Sequence, residues 1–132
     1  MRLIDTDVCI EILRGNPQVI ERRAEVPDEV ATSWVSAAEL YYGAEKSSAA
    51  AHNSLIVTDF LATLRVLGPD RGAAWHFGRW KAELERAGQR LADADLFIAA
   101  TALSHGAVLV TGNRQHYERI EDLSIEDWLH AS

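Results

Sequence analysis

The sequence predicts an α/β protein, a three-layer α/β/α sandwich built on a mainly parallel central sheet of about five strands. Two observations predict this fold class. Short apolar runs typical of strands alternate along the chain with apolar stripes at helical spacing, and the links between them are short. The composition does not change abruptly anywhere along the 132 residues, of which 48% are hydrophobic. These features fit a single domain, residues 1–132, with its own core.

The first half of the chain divides into two units in which a strand leads into helices. Gly15-Asn16-Pro17 ends one helix and begins the next, and the stretch 47–51 is small and polar enough for a turn. In chain order, the predicted elements are a strand at Leu3-Ile4, a helix carrying Val8, Ile12 and Leu13, a helix from Pro17 to about Ala24, a strand from Glu29 to Trp34 and a helix from Ser36 to near Lys46.

The second half continues the alternation of strands and helices. Leu96–Leu103 is apolar nearly all round, so that helix is expected to be buried against the sheet. The charged stretch Arg114–Asp122 is predicted to be a loop. The predicted elements are a helix carrying Leu55, Ile56, Phe60, Leu61 and Leu64, a strand at Arg65–Leu67, a helix from Ala73 to Gly88, a helix at Leu96–Leu103, a strand at Val108–Val110 and a last strand at Ile125–Trp128.

The composition excludes several classes of function. A single cysteine, Cys9, forms no internal disulfide or cysteine zinc site, and we expect it to be buried. No apolar run is long enough to span a bilayer, so we expect a cytoplasmic protein with no membrane partner. The formal net charge of −7 argues against simple electrostatic capture of nucleic acid. Divalent cations bound at an acidic site would reverse that local potential.

Four polar residues occupy equivalent places near the carboxyl ends of predicted strands. They are Asp5 after the first strand, Glu39 in the helix after the second, Asp95 at the start of the buried helix and Asn113 after the fourth strand. Ligands of open parallel sheets bind at this edge, so the four could converge on one crevice. An acid that ends an apolar strand must be solvated, paired or metal-bound, which favours a functional role for Asp5.

Helix capping is the alternative for the other acids. The Ser-x-x-Glu pattern ending at Glu39 matches a capping box, in which the glutamate bonds back to the cap residue. Asp7 or Thr6 could cap the first helix, and one of Asp93 and Asp95 is expected to cap the buried helix. The residues alone leave these alternatives open.

Convergence of the acids would require a cation. Two carboxylates about 4 Å apart repel by roughly 4 kcal/mol at an effective dielectric constant of about 20. Oxygen ligands without His or Cys select hard ions, so Mg²⁺ or Mn²⁺ would bind in preference to zinc. Such an ion activates water and stabilises a phosphate group during its cleavage.

Four short motifs stand in a characteristic order along the chain. They are Leu3–Ile10, then Ser36–Leu40 with Tyr42–Ser47, then Asp95–Ala100, and then Val110–Asn113, with Glu118–Ile120 and Ile125–Trp128 downstream. In order and spacing, these motifs resemble those of the VapC toxins, the PIN-domain ribonucleases of bacterial toxin-antitoxin pairs. The resemblance covers essentially the whole chain.

The resemblance implies a metal-dependent endoribonuclease with a PIN-type α/β/α fold on about five parallel strands. In this family the positions of Asp5, Glu39 and Asp95 are acidic metal ligands for Mg²⁺ or Mn²⁺. The position of Asn113 helps to place the metal or its waters. The 43–47 turn and the 125–128 end are most like those of VapC enzymes that cut initiator tRNA in its anticodon loop and so inhibit translation.

The resemblance also implies partners. VapC proteins pair as homodimers and are silenced by a cognate VapB antitoxin, whose tail covers the active-site groove and whose other end binds operator DNA. This chain would therefore contact DNA only through its antitoxin. An apolar groove near the early helices and Tyr41 or Tyr42 is the expected antitoxin site.

Three positions depart from the family pattern. Asp7 stands where Asn is common, and Asp93 stands where Pro or a small residue is common, so each is a candidate additional ligand. His116 stands where an acid often follows the Thr-x-Asn turn, so we expect one well-held ion before RNA binds. The basic residues nearest in sequence to the site, and hence the candidates for holding RNA, are Arg14, Lys46 and Arg114.

Two rival functions remain open at this point. Asp5-Thr6-Asp7 nearly matches the nucleophile motif of haloacid-dehalogenase-like phosphatases, in which the first Asp attacks phosphorus. That motif needs a downstream lysine, and none follows Lys81. The other rival is a non-catalytic interaction module, in which the acids cap helices and the aromatic residues bind a partner.

Overall fold

Residues 1–130, which the computed structural model describes, form five strands and seven helices. The strands are β1 (Arg2–Ile4), β2 (Val30–Ser33), β3 (Arg65–Leu67), β4 (Val108–Val110) and β5 (Ile125–Glu126). The helices are α1 (Thr6–Leu13), α2 (Pro17–Glu25), α3 (Trp34–Glu45), α4 (Ala50–Leu61), α5 (Arg71–Arg86), α6 (Asp93–Ser104) and α7 (Arg114–Tyr117). None of these helices is long and apolar enough to cross a membrane.

The sheet is parallel throughout, in the order β3-β2-β1-β4-β5. The chain moves outward from β1 through β2 to β3, crosses to β4 on the other side of β1, and then continues outward to β5. The direction of travel therefore reverses between β1 and β4. In open α/β sheets, ligands bind outside the carboxyl ends of the strands at such a reversal.

Helices cover both faces of the sheet. Since neighbouring residues of each short strand point to opposite faces, each strand contributes side chains to two cores. Leu3 and Leu109 belong to one core with side chains of α5 and α6. Ile4 and Val110 belong to a second core with side chains of α1, α2 and α4. Burial of both faces explains why these strands read as continuous apolar runs. The predicted three-layer α/β/α class is confirmed.

The junction between β2 and α3 lies earlier than predicted. The strand ends at Ser33 rather than Trp34, and the helix begins at Trp34 rather than Ser36. The reason is that the Ser33 hydroxyl accepts a hydrogen bond from the Ser36 backbone N–H at 3.1 Å and so caps the helix. Ser36 is therefore inside the first turn. Cys9 is buried in the second core, as expected.

Two predictions for the last third of the chain were wrong in detail. The stretch Arg114–Asp122 is not a loop throughout, since its first four residues form α7. The last strand ends at Glu126 instead of continuing to Trp128. Trp128 leaves the strand because its indole ring enters the second core, while its N–H donates a 2.7 Å hydrogen bond to the Glu126 carboxylate.

Candidate active site

Asp5 lies at the reversal point of the sheet, directly after β1. Its backbone N–H continues the pairing with β4 by donating to the Val110 carbonyl at 2.8 Å. Its side chain is the N-cap of α1, since Oδ1 accepts from the Thr6 backbone N–H at 2.8 Å. The other oxygen, Oδ2, accepts from the Thr111 hydroxyl at 2.8 Å. The predicted cap, Asp7 or Thr6, was therefore wrong, because Asp5 itself fills that role.

The Asp5 carboxyl group is buried, with only 6% of the residue exposed. The pKa of Asp5 is raised to about 6, mainly by burial and then by the charge of Asp7. The hydrogen bonds from Thr111 and Thr6 lower this pKa, but by less. Asp95 also raises this pKa. A carboxylate that is buried beside other acids and has no basic partner is a group whose charge a cation would stabilise.

Asp95 lies in the first turn of α6, and side chains from α7 hold both of its oxygens. His116 Nε2 is 2.9 Å from Oδ2, and the Tyr117 hydroxyl donates to Oδ1 at 3.3 Å. Neither Asp95 nor Asp93 caps this helix, because the N-cap is Ala92 and no side chain bonds there. The predicted aspartate cap was wrong. The Asp95 carboxylate is instead held by side chains of α7.

Tyr117 connects the two aspartates. It is 1% exposed, and burial together with the charges of Asp5 and Asp95 raises the pKa of its hydroxyl group. The phenol therefore stays protonated and acts as a neutral hydrogen-bond donor to Asp95, with the charge of Asp5 nearby. The structure thus brings Asp5 and Asp95 to the same polar cluster.

Glu39 projects from α3 toward the start of α1. Its carboxylate accepts a 2.6 Å hydrogen bond from the Thr6 hydroxyl, whose oxygen also lies 2.9 Å from the Ser36 hydroxyl. The alternative of a capping box at Glu39 is excluded, because Ser33 caps α3 and Glu39 bonds to the residue that follows Asp5. Glu39 therefore belongs to the same cluster, on its exposed side.

The remaining candidate residues differ in their relation to this cluster. Asp7 fastens α1 to the loop after β4, because its Oδ2 accepts from the Gly112 N–H at 2.9 Å. Its Oδ1 is buried and has no hydrogen-bond partner within residues 1–130. Asp93 is exposed and pairs with Lys81 at 3.0 Å. Asn113 is exposed in the same loop, and its N–H donates to the Thr111 hydroxyl at 3.1 Å.

Three hydroxyl groups in the cluster were missed by the sequence analysis, and one of them could have been found. Ile4 pairs with Val110, so Thr111, the residue after β4, lies beside Asp5, the residue after β1. Its position in the sequence would indicate this once β1 and β4 are known to be neighbours. Thr6 was considered only as a helix cap. Tyr117 carries no sequence signal, because it lies in a short helix predicted to be a loop.

The donor set of the cluster fits a divalent cation, although the side chains are not closed around one. Within the part of the chain that the structure describes, no group of three or more His, Cys, Asp or Glu side chains is arranged to hold a metal ion. Glu39 and Asp95 are instead turned toward Thr6 and toward His116 and Tyr117. Carboxylate oxygens are nevertheless the ligands that Mg²⁺ and Mn²⁺ prefer, and within residues 1–130 Asp5 bonds to Thr6 and Thr111 and to no basic side chain.

Gly112 allows the close approach of three segments at this site. A Cβ atom at this position would lie 2.5 Å from Leu129 Cδ1 and 3.0 Å from Asp7 Oδ2. We expect Gly112→Ala to lower the free energy of unfolding by about 1–3 kcal/mol, because a well-packed region must shift. Chemical denaturation would measure this. Gly43→Ala is the control, since a Cβ there meets nothing within 4 Å. Equal stability of the two variants would contradict the prediction.

Acids lie at the reversal point of a parallel five-stranded sheet, the place where open α/β sheets bind ligands. The model of the PIN domain family matches residues 2–123. PIN-domain ribonucleases generally use divalent metal ions. The chain is therefore a PIN domain protein, and the more similar relatives define which kind.

The relatives are VapC ribonucleases. The tRNA(fMet)-specific endonuclease VapC of Salmonella typhimurium is 39% identical over 127 residues, which are 96% of this chain and 96% of the relative. Ribonuclease VapC2 of Haemophilus influenzae is 36% identical over 128 residues, 96% of this chain and 97% of the relative. A chain in the crystal structure of DNA-bound VapBC from Salmonella typhimurium is 39% identical, with a TM-score of 0.91 over 96% of this chain and 97% of that one. This chain belongs to the VapC ribonucleases of the PIN domain family, which confirms the predicted family and the endoribonuclease class.

Proposed function

We propose that this chain is the toxin of a type II toxin-antitoxin system and that it cleaves tRNA with the help of Mg²⁺ or Mn²⁺. The observation that carries the proposal is the polar cluster at the reversal point, where Asp5 bonds to Thr111 after β4, Asp95 bonds to Tyr117 of α7 and Glu39 bonds to Thr6. A single PIN domain over residues 1–132 carries the activity. It acts in the cytoplasm, where tRNA is used in translation.

The proposed metal ligands are Asp5, Asp95 and Glu39, with Asn113 positioning the ion or its waters and Asp7 as an additional ligand. Asp93, which pairs with Lys81, is left out of this set. A bound divalent ion would supply an activated water and neutralise the developing charge on the phosphate. Hydrolysis of the phosphodiester by that water would leave 5′-phosphate and 3′-hydroxyl ends.

The hydroxyl groups of the cluster hold the proposed metal-binding carboxylates in place by hydrogen bonds. Thr111 and the Thr6 N–H fix both oxygens of Asp5, so its carboxylate has one orientation. Tyr117 donates to one oxygen of Asp95 and leaves the other facing His116. Fixed ligands of this kind hold an ion, and therefore its water, in a defined place relative to the RNA phosphate.

The preferred substrate is initiator tRNA, cut in the anticodon loop. Two relatives support this choice, since the VapC proteins of Salmonella typhimurium and Shigella flexneri, 39% and 35% identical, are named tRNA(fMet)-specific endonucleases. The proposed RNA-binding residues are Arg14, Lys46 and Arg114, which are all exposed. Arg114 donates to the Ile125 carbonyl and so lies beside β5 at the same edge of the sheet.

A groove beside Glu39 is the proposed site of a VapB-type antitoxin. Its volume is about 430 Å³, and its apolar walls come from α1, α3 and α4. Several similar structures are VapBC complexes, two of them bound to DNA. An apolar segment of the antitoxin in this groove would lie against Glu39, and operator DNA would be contacted through the antitoxin alone. We also propose a homodimer, to which exposed aromatic residues such as Trp75 would contribute.

We expect Ile56→Glu to weaken antitoxin binding by tenfold to a hundredfold, about 1.4–2.8 kcal/mol, without changing RNA cleavage. Ile56 lines the groove, so the change places a charge where an apolar segment must pack. Titration calorimetry would measure the affinity. The control is Leu55→Glu, because Leu55 is the next residue, is 65% exposed and does not line the groove. Equal weakening by both variants would contradict this site.

The proposed function is tested with a purified tRNA pool and antitoxin-free protein, in Mg²⁺, in Mn²⁺ and with chelator. We expect metal-dependent cutting of one tRNA, lost in Asp95→Asn. Cutting that persists with chelator would overturn metal dependence. Cutting of another RNA would change the substrate only. Phosphorylation of Asp5 by a phosphate ester, seen by mass spectrometry, would favour the phosphatase. Binding without any cleavage would favour the interaction module.

A further inference from the structure

An imidazole lies directly against one of the proposed metal-binding carboxylates. His116 Nε2 is 2.9 Å from Asp95 Oδ2, and the other oxygen of Asp95 accepts from Tyr117. His116 comes from α7, which follows the loop after β4 and so lies at the edge of the sheet where Asp5 lies. The two side chains are 27% and 32% exposed, so an ion from solvent can reach the pair.

We propose that His116 is a nitrogen ligand of the active-site metal, beside Asp95, and that it makes the site prefer a first-row transition ion to Mg²⁺. This inference rests on the proposed function, because it adds a ligand to the same site. It separates this chain from a site built of oxygen ligands alone.

The spacing of the two atoms suits one ion. Two ligand atoms about 2.1 Å from an octahedral ion and at right angles to each other are about 3.0 Å apart. The distance between His116 Nε2 and Asp95 Oδ2 is 2.9 Å, which is a hydrogen-bond distance and is also close to this ligand spacing. An ion bound to both atoms would replace the hydrogen between them. The neutral imidazole then carries its proton on Nδ1 and offers its Nε2 lone pair to the ion.

The chemistry of the ligands determines the preference. Mg²⁺ binds oxygen ligands and keeps its waters, so an imidazole adds little to its affinity. Divalent first-row transition ions accept imidazole nitrogen more readily than Mg²⁺ does, and their affinity for mixed nitrogen and oxygen sites rises from Mn²⁺ along the Irving–Williams order. A single imidazole among carboxylates should therefore raise the affinity for Mn²⁺ more than that for Mg²⁺.

The test uses Mn²⁺ and Mg²⁺ binding to the whole chain without RNA. Loss of the free Mn²⁺ signal in electron paramagnetic resonance measures Mn²⁺ affinity, and competition measures Mg²⁺ affinity. Pulsed measurements detect ¹⁴N coupling from a directly bound imidazole. The variant is His116→Gln, which keeps a side chain able to hydrogen-bond Asp95. The matched control is His105→Gln. His105 is also half-buried, and its Nε2 lies 3.2 Å from an aspartate oxygen, that of Asp70, outside this site.

We expect ¹⁴N coupling in the wild type and in His105→Gln, and none in His116→Gln. The ratio of Mn²⁺ affinity to Mg²⁺ affinity should fall about tenfold in His116→Gln alone. Equal weakening of both ions would show that His116 only positions Asp95 and would overturn the inference. Absence of ¹⁴N coupling in a wild type that binds Mn²⁺ would also overturn it while leaving the proposed function intact. A wild type that binds neither ion would overturn both.

Discussion

Replacing Asp5 with Asn is expected to lower the rate of RNA cleavage at least about 1,000-fold. The amide keeps the size of the side chain and an oxygen for the Thr6 N–H, but it removes the negative charge that holds the cation. Metal ions stabilise transition-state charge by several kcal/mol, and each 1.4 kcal/mol is about a tenfold change in rate. Single-turnover cleavage of tRNA in Mg²⁺ or Mn²⁺ would measure the loss.

The same substitution is expected to stabilise the metal-free protein at pH 7.5. Burial and the neighbouring Asp7 raise the pKa of Asp5 from 3.8 to about 6, so the ionised carboxylate costs about 3 kcal/mol in the folded state. Asparagine carries no charge and removes this cost. Thermal melts with chelator should therefore show a higher midpoint for Asp5→Asn than for the wild type, and added Mg²⁺ should raise only the wild-type midpoint.

The sign of the pH dependence follows from the raised pKa of Asp5. The folded protein binds the proton of this group more tightly than the unfolded chain does. The contribution of Asp5 to the free energy of unfolding therefore falls as pH rises from about 4 to about 6, and it stays low above that range. The difference between Asp5→Asn and the chelated wild type should be large at pH 7.5 and small near pH 4.

Asp93→Asn is the control for both measurements. Asp93 is also an acid at the start of a helix, but it is exposed and pairs with Lys81 outside the cluster. We expect this variant to cleave RNA at the wild-type rate. Its free energy of unfolding should lie within about 0.5 kcal/mol of the wild-type value. Retained cleavage in Asp5→Asn, or equal loss in the two variants, would contradict the assignment of Asp5 as a metal ligand.

The fold could be predicted because both faces of the sheet are covered. Strands such as Val108–Val110 are buried on both sides and read as uninterrupted apolar runs between turn signals. Helix α5 carries a clear apolar stripe, and α6 is apolar nearly all round. Exceptions arose where a side-chain hydrogen bond decided the boundary, as at Ser33, or where an element was too short to show a period, as in α7.

The site could be predicted only in part, because its acids are joined by contacts that depend on which strands are neighbours. The positions of Asp5 and Asp95 follow from the rule that ligands bind at the carboxyl ends of parallel strands. The place of Thr111 needs the further fact that β1 lies next to β4. Tyr117 could not be predicted, since its hydroxyl reaches Asp95 only because α7 turns it inward.

Trp128→Ala is expected to lower the free energy of unfolding by about 3–5 kcal/mol, the largest loss of stability for any single residue considered. The residue follows the last strand and lies beyond the segment matched by the PIN family model, yet it is fully buried in the second core. Removing the indole leaves a cavity in that core and removes one hydrogen bond from the Glu126 carboxylate, which keeps its pairs with Arg2 and Arg22.

The site should also be affected, because Leu129, the residue after Trp128, packs beside Gly112 in the loop after β4. We expect Trp128→Ala to slow RNA cleavage as well as lower the denaturation midpoint. The reason is that Leu129 would no longer be held against the loop that carries Thr111. Trp128→Phe is the control, since it keeps most of the ring and removes the hydrogen bond to Glu126, for a loss of about 1–2 kcal/mol. A Trp128→Ala variant as stable as Trp128→Phe would show that this end of the chain contributes little to the core.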